Sequence, residues 1–140
     1  MESWILFALL SAFFASLVAI LGKVGISGVD TMLATTIRAA IMAALLILVT
    51  SATGKINLIG TLNNKALLFI FFSGIAGALS WAFYFFALKF GPASSVSAID
   101  RLSIVFVVFL AAIFLGEGLT FRSILGTLLI ILGAVFLTFK

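Results

Sequence analysis

The chain has 140 residues, of which 65% are hydrophobic and only 9% are charged, and its mean hydropathy is +1.46. A water-soluble domain of this length needs more polar residues to cover its surface, so the composition excludes a soluble globular protein. The net charge of +4 comes from basic residues that stand singly between apolar blocks, which leaves no surface for nucleic acid.

Cysteine and histidine are both absent from the chain. Disulfides and thiolate chemistry are therefore impossible, and the commonest general base and metal ligand are missing. Asp100 and Glu117 are predicted to lie at different depths, so no catalytic pair of carboxylates is apparent. No nucleotide-binding motif is present either. We therefore expect no enzymatic activity, no metal site and no cofactor.

The first apolar block runs from Trp4 to Gly22 and stops at Lys23. A signal peptide is the rival interpretation, but it requires a basic segment before the block, and the only charge there belongs to Glu2. No clear cleavage site of small residues follows the block. Its length suits a helix that spans the membrane.

Four further apolar blocks follow, and each is about 20 residues long, which matches a hydrocarbon core of about 30 Å. Arg38 interrupts the second block, and the pair Asp100-Arg101 interrupts the fourth. Backbone in contact with lipid must satisfy its own hydrogen bonds, which favours helix. We predict an all-α membrane protein, a single domain over residues 1–140 with five transmembrane helices at about 4–22, 31–52, 66–88, 93–115 and 121–139.

The basic residues outside the blocks are divided equally between the two membrane faces. One face carries Lys55, Lys65 and Arg122, and the other carries Lys23, Lys89 and Lys140. Orientation normally follows an excess of Lys and Arg on the cytoplasmic side, and here there is no excess. Two interpretations stay open: a single topology with a weak signal, or insertion in both orientations followed by pairing with an inverted copy.

Three ionisable residues lie inside the apolar blocks, namely Arg38, Asp100 and Arg101. Each costs about 2.5–3.5 kcal/mol at the centre of a bilayer, so such residues usually face protein or a wet cavity. Arg38 and Asp100 both lie about 12 Å along their helices from the same membrane face. Residues predicted at a similar depth or on the same helical stripes complete a candidate substrate-binding set of Arg38, Trp81, Tyr84, Ser97, Asp100 and Arg101.

Two structural interpretations compete with this substrate cavity. Arg101 could extend to the headgroups if the bilayer is thin, since the apolar stretch that follows it is somewhat short. Arg38 and Asp100 could instead form a purely structural ion pair.

The last two blocks carry short motifs in a recognisable order. Gly91-Pro92-Ala93 begins the fourth predicted helix, and Leu115-Gly116-Glu117 links it to the fifth. With Arg38 early in the second helix, this pattern resembles the EamA domain of the drug/metabolite transporter superfamily over nearly the whole chain. Larger relatives carry two such domains in inverted orientation. The resemblance therefore implies that this chain forms half of an inverted-repeat transporter, completed by an antiparallel homodimer or a separately encoded half.

The resemblance implies a secondary transporter of small metabolites or drug-like solutes, working as a dimer by alternating access. Its expected partners are membrane lipid, a small-molecule solute and a second half-transporter, and its expected place is a bacterial or archaeal inner membrane. Small multidrug-resistance proteins, which are similar in size, carry a carboxylate in the middle of the first helix, and the block from Trp4 to Gly22 contains none. We therefore do not expect proton-coupled export of cationic drugs, unless Asp100 takes the role of that carboxylate. The alternative function is a non-transporting accessory subunit of another membrane complex.

Overall fold

The computed structural model describes residues 3–139, and this part of the chain contains helices and no strand. The helices are α1 (Ser3–Gly25), α2 (Thr31–Ala52), α3 (Asn64–Phe90), α4 (Ala93–Asp100), α5 (Ser103–Phe114) and α6 (Phe121–Thr138), with a short 3-10 helix at Lys55–Thr61. Counting α4 and α5 as one stretch, five segments are long and apolar enough to cross a membrane. The predicted all-α membrane fold is therefore confirmed. Lys140, which entered the charge count, lies outside the described residues.

Polar side chains in the links cap helix starts, and those of α2 and α6 are examples. The Asp30 carboxylate accepts a hydrogen bond of 2.9 Å from the Leu33 amide at the start of α2. At the start of α6, the Thr120 hydroxyl accepts from the Ser123 amide at 3.1 Å, and the Ser123 hydroxyl accepts from the Thr120 amide at 3.0 Å. Each such cap stabilises its helix by about 1 kcal/mol. The caps therefore place these helix starts close to where the apolar pattern predicts them.

The predicted fourth helix is divided into α4 and α5 by a tighter turn. The amides of Leu102 and Ile104 donate to carbonyls only three residues earlier, those of Ile99 and Arg101, at 2.9 and 3.1 Å. Bonds of this spacing define a 3-10 turn, which is uncommon in the middle of a helix. The fourth span is therefore two short helices joined end to end, where the sequence predicts one helix interrupted by a charged pair.

The described residues form two compact units. One unit consists of Gly22–Lys89, and the other combines Met1–Leu21 with Phe90–Lys140. We call them the α2–α3 unit and the α4–α6 unit. The first contains the last turn of α1 with α2 and α3, and the second contains most of α1 with α4, α5 and α6.

Within the α4–α6 unit, α4 packs against α6. The Ser95 hydroxyl on α4 donates a hydrogen bond of 3.0 Å to the Leu137 carbonyl on α6. Both helices bury small residues, Ala98 on α4 and Ala134 on α6. Small side chains allow helix backbones to approach closely in a membrane, where packing rather than water exclusion drives association. This contact fixes which part of α6 lies beside the polar end of α4.

Large apolar side chains are exposed on every span. Examples from successive spans are Phe7, Leu46, Phe69, Phe109 and Leu129, each more than half exposed. Water-soluble proteins rarely expose contiguous apolar surface of this extent. The surroundings of these helices are therefore hydrocarbon or other apolar helices.

Candidate functional site

Arg38 stacks on an aromatic ring inside the α2–α3 unit. Its guanidinium carbon lies 3.7 Å from the centroid of the Trp81 ring and 5.5 Å from that of the Phe85 ring. A guanidinium over an aromatic face gains about 0.5–2 kcal/mol, more when water is excluded. Arg38 is half-buried, so part of its charged group contacts the ring face instead of the medium around the helices. The contact with the two rings restricts the movement of the guanidinium.

Three aromatic side chains on consecutive turns of α3 form the surface beneath Arg38, and we call them the aromatic platform: Trp81, Tyr84 and Phe85. The Trp81 and Tyr84 rings meet edge to face with centroids 5.6 Å apart, and the Trp81 and Phe85 centroids are 6.1 Å apart. Residues three and four apart share one face of a helix, and such ring pairs each contribute about 0.5–1.5 kcal/mol. The rings therefore orient one another before any solute binds.

Within the α2–α3 unit, the nitrogens of Arg38 have no hydrogen-bond acceptor. Among the described residues of the α2–α3 unit, neither an ion pair nor a hydrogen bond engages the guanidinium, and its contacts are the two rings. An arginine carries five N–H donors along the edge of its plane, in a fork that matches a carboxylate or a phosphate. The guanidinium carbon lies over the Trp81 ring, and no described group of the unit accepts a hydrogen bond from the five donors. The arrangement can therefore bind an anionic group.

α2 places other polar side chains on the same helical face as Arg38, one and two turns earlier. The buried Thr35 hydroxyl donates to the Thr31 carbonyl at 2.7 Å, so its polarity is satisfied within its own helix. Thr31 is 1% exposed, and its hydroxyl has no hydrogen-bond partner among the described residues. The polar face of α2 thus continues from Arg38 to the helix start.

Two residues of this region were not predicted from the sequence. Phe85 lies four residues after Trp81, a spacing that places both side chains on one face of a helix. Nothing in the sequence, however, distinguishes Phe85 from the many other phenylalanines. The Lys23 ammonium donates to the carbonyl oxygen of Leu88, and the carbonyl oxygen of Lys89 lies 3.5 Å from it. A cation at a helix C-terminus satisfies its last carbonyls and favours its dipole. Lys23 therefore holds the end of α1 against the end of α3, where the sequence predicts only a residue at the membrane face.

Gly22 allows Phe85 to pack against α1, and this leads to a stability prediction. A Cβ atom at Gly22 would lie 3.2 Å from the Cζ atom of Phe85, whose ring is 3% exposed and has little room to move. We expect Gly22→Ala to lower the melting temperature in detergent, because overpacking costs about 1–3 kcal/mol and the better helix propensity of alanine returns at most about 1.

The matched control for this prediction is Gly77→Ala on α3. A Cβ atom at Gly77 meets no atom within 4 Å in its unit, so only the gain in helix propensity remains. The two variants should therefore shift the melting temperature by clearly different amounts. Equal shifts would show that the contact between Gly22 and Phe85 is not tight.

A cavity of about 540 Å³ lies in the same unit, near the membrane face. It is lined by Lys23, Lys89 and residues 26–30 of the link between α1 and α2. None of the predicted site residues lines it. Because it combines two ammonium groups with the Asp30 carboxylate, which already caps α2, it offers no single ligand chemistry. The stacked Arg38 is therefore the better candidate for a solute site.

The remaining predicted site residues, Ser97, Asp100 and Arg101, belong to the α4–α6 unit. They lie at the junction of α4 and α5, with Ser97 half-buried and both ionisable residues exposed. The structure thus brings Arg38, Trp81 and Tyr84 together in one unit and places the other three at a helix junction in the second unit. That all six share one layer of the membrane stays a prediction.

Comparison with known proteins adds a separate observation. Residues 2–139 match the model of the EamA-like transporter family. The chain is also similar to a protein of Sinorhizobium sp. named "Uncharacterized transporter in cobO 3'region", with 39% identity over 136 residues, which is 97% of this chain and 96% of that protein. No solved structure matches the chain. The family resemblance drawn from the sequence motifs is confirmed.

Proposed function

Because this chain belongs to the EamA-like transporter family, we propose that it is a secondary transporter of small amphipathic organic anions. Family membership, a relative named as a transporter and five apolar spans identify a multi-pass membrane transport protein. The solute class, the alternating-access mechanism, the paired state, the bacterial inner membrane and the absence of enzymatic activity belong to the proposal.

The observation that carries the solute class is the stacked guanidinium of Arg38. A charge within a membrane span costs several kcal/mol unless it faces water or a partner, so its position requires a compensating role. Within its unit, Arg38 has aromatic rings on its face and no anion at its edge. An incoming carboxylate or phosphate would supply that anion through two parallel hydrogen bonds.

The aromatic platform supports an amphipathic solute over a purely polar one. One face of the Trp81 ring is covered by the Arg38 guanidinium, so the main role of Trp81 is to position that cation. Tyr84 meets Trp81 at an interplanar angle of 80°, and its half-buried ring continues the apolar surface away from the charge. A solute with an anionic group beside an apolar body would match both parts of this surface.

We propose that two copies in opposite orientations form the working transporter. In transporters built from inverted repeats, the solute site lies at the interface between the two halves, and this chain supplies one half. The equal numbers of basic residues on the two faces favour insertion in both orientations. The relative from Sinorhizobium sp. matches over 96% of its own length, so it also corresponds to one half of an inverted repeat. Exposed apolar side chains on every span leave surface for a second copy.

Fluorescence of Trp81 offers a direct test of the solute class. Trp4→Phe leaves Trp81 as the single tryptophan, and its ring lies against the proposed anion-binding cation. We expect phenylphosphonate and benzoate to change its emission in a saturable way, because an anion at the guanidinium edge alters the field at the ring. Benzyl alcohol, which has the same apolar body without the charge, should produce a much weaker change.

The same titration in the Trp4→Phe/Arg38→Ala protein is the control. Loss of the anion response in this variant would support binding at Arg38. An equal response in both proteins, or an equal response to benzyl alcohol and benzoate, would contradict the proposed solute class.

A further inference from the structure

The link between α2 and α3 contains the 3-10 helix Lys55–Thr61, which we call the link helix. Gly54 precedes it with a φ of 70°, a left-handed backbone that glycine adopts without strain, and so turns the chain out of α2. The Asn57 amide donates to the Gly54 carbonyl at 3.3 Å, and the Leu62 amide donates to the Ile59 carbonyl at 3.2 Å. Hydrogen bonds that span three residues are therefore present at both ends of the link helix.

This spacing sorts the side chains of the link helix into three faces, because residues three apart eclipse each other in a 3-10 helix. One face is wholly apolar, and we call it the link apolar face: Ile56, Ile59 and Leu62. A second face carries Asn57 and Gly60 and so has no apolar side chain. The third is mixed, with one lysine, one leucine and one threonine. The link helix is therefore amphipathic at the period of its own hydrogen bonds.

The link apolar face is open to whatever surrounds the chain. Its three side chains are each more than a third exposed, and Ile59 is 63% exposed. Beside this face, the Thr61 hydroxyl donates to the Leu58 carbonyl at 2.7 Å, so its polarity is satisfied within the link helix. Apolar surface of this kind is unfavourable in water. The link apolar face therefore needs an apolar partner outside its own helix.

The two spans that flank the link helix hold it at the bilayer surface. α2 ends at Ala52 and α3 begins at Asn64, so both ends of the link helix lie at one membrane face. It also contacts α2, which keeps it beside the end of that span. A segment tethered in this way meets the lipid surface at a high effective concentration, without the cost of a separate binding event.

The charges around the link helix suit phospholipid headgroups. Lys55 is its first residue, and Lys65 lies in the first turn of α3 just beyond it. Both lysines are exposed, and no acidic residue lies between them. Lysine side chains near the ends of spans extend to the interface, where headgroup phosphates attract them. An apolar face between two cations is the pattern of a segment that binds a lipid surface.

We propose that the link helix lies flat in the interface between the phospholipid headgroups and the acyl chains, with the link apolar face towards the acyl chains. Asn57 then faces water, and Lys55 and Lys65 meet headgroup phosphates. Amphipathic helices occupy this boundary with their apolar face about 5–10 Å deep. The flanking cations favour lipid over a second protein as the partner of this face. The proposal concerns this contact alone and is independent of the proposed transport function.

Fluorescence quenching in nanodiscs measures which face of the link helix meets lipid. The chain has no native cysteine, so Ile59→Cys and Asn57→Cys each provide a single site for the fluorophore NBD. We expect the Ile59→Cys label to emit at shorter wavelength and to be quenched by a phosphatidylcholine that carries a nitroxide near the top of its acyl chain. The matched Asn57→Cys label, on the polar face of the same helix, should instead be quenched by aqueous iodide.

Two other results of this measurement would overturn the proposal. Strong iodide quenching of both labels would place the whole link helix in water. Protection of the Ile59→Cys label from iodide and from the nitroxide lipid alike would show that protein, such as a second copy of the chain, covers the link apolar face.

A second pair of variants tests whether the apolar side chains cause the contact. With the label placed at Ile56→Cys, adding Ile59→Gln removes one apolar member of the face, so quenching by the nitroxide lipid should fall and quenching by iodide should rise. Adding Asn57→Gln instead, a polar replacement on the polar face, should leave both unchanged. Unchanged quenching in the Ile59→Gln protein, or equal changes in the two proteins, would contradict the role of the link apolar face.

Discussion

Replacing Arg38 by alanine should abolish phenylphosphonate uptake into proteoliposomes, which is the largest effect that we expect from a single substitution. The variant removes the cation that is proposed to bind the anionic group, and losing one member of a desolvated charge pair costs about 2–5 kcal/mol. Since each ~1.4 kcal/mol weakens binding tenfold, the affinity should fall by at least about 30-fold. Uptake and Trp81 emission, measured on the same preparations, would check this result.

Arg38→Lys separates the charge of the side chain from its shape. Lysine keeps the positive charge but lacks the planar fork that stacks on Trp81 and presents two parallel donors. We therefore expect an intermediate affinity. Thr36→Ala, an exposed position on the same helix whose hydroxyl donates to its own backbone, should leave uptake unchanged. Wild-type uptake in Arg38→Ala would remove Arg38 from the site, and wild-type uptake in Arg38→Lys would show that only its charge matters.

Fixing the orientation of the chain should switch off transport by each variant alone and restore it when two variants are combined. Leu62→Arg with Asn64→Arg adds positive charge to one membrane face, and Ser27→Arg with Val29→Arg adds it to the other. Because the native basic residues are balanced, two added charges should decide the orientation. Each variant should then be inactive by itself, and co-expression should rebuild the antiparallel pair and its uptake.

Cysteine labelling provides the orientation measurement for this prediction. The chain has no native cysteine, so Asn57→Cys in the link between α2 and α3 is a unique label site. An impermeant maleimide should label about half of the molecules from outside in the otherwise unchanged chain, and nearly all or nearly none in the charge variants. Labelling from one side only, together with full activity of one charge variant alone, would reject the antiparallel pair.

The number, length and class of the elements could be predicted because the solvent of this chain is hydrocarbon. Each span needs about 20 apolar residues and must satisfy its own backbone, so hydropathy alone defines the helices. The interruption of the fourth span was also visible, since Asp100 and Arg101 stand in an apolar block. The type of interruption was not visible, because the hydropathy pattern does not indicate whether the amides of Leu102 and Ile104 donate three or four residues back.

The candidate site was predictable only as a set of residue types. Arg38 was identified from the cost of a charge inside a span, and Trp81 and Tyr84 from their estimated depth. Their direct contact, with the guanidinium 3.7 Å from the Trp81 ring, depends on how α2 and α3 are rotated towards each other. The structural pairing of Arg38 with Asp100 stays an open alternative, since these residues belong to different units.

By itself, the sequence determined that this chain crosses a membrane in five helical spans, because apolar composition and span length decide that outcome without reference to any partner residue. Only the tertiary structure decided which side chains meet. The apolar residues of α3 are spread almost evenly around its circumference, so its hydropathy pattern favours no particular face. Local fits, such as Phe85 against Gly22 and Lys23 at the end of α3, select its rotation. That rotation brings Trp81 beneath Arg38, so that the guanidinium proposed to bind an anion lies over the Trp81 ring.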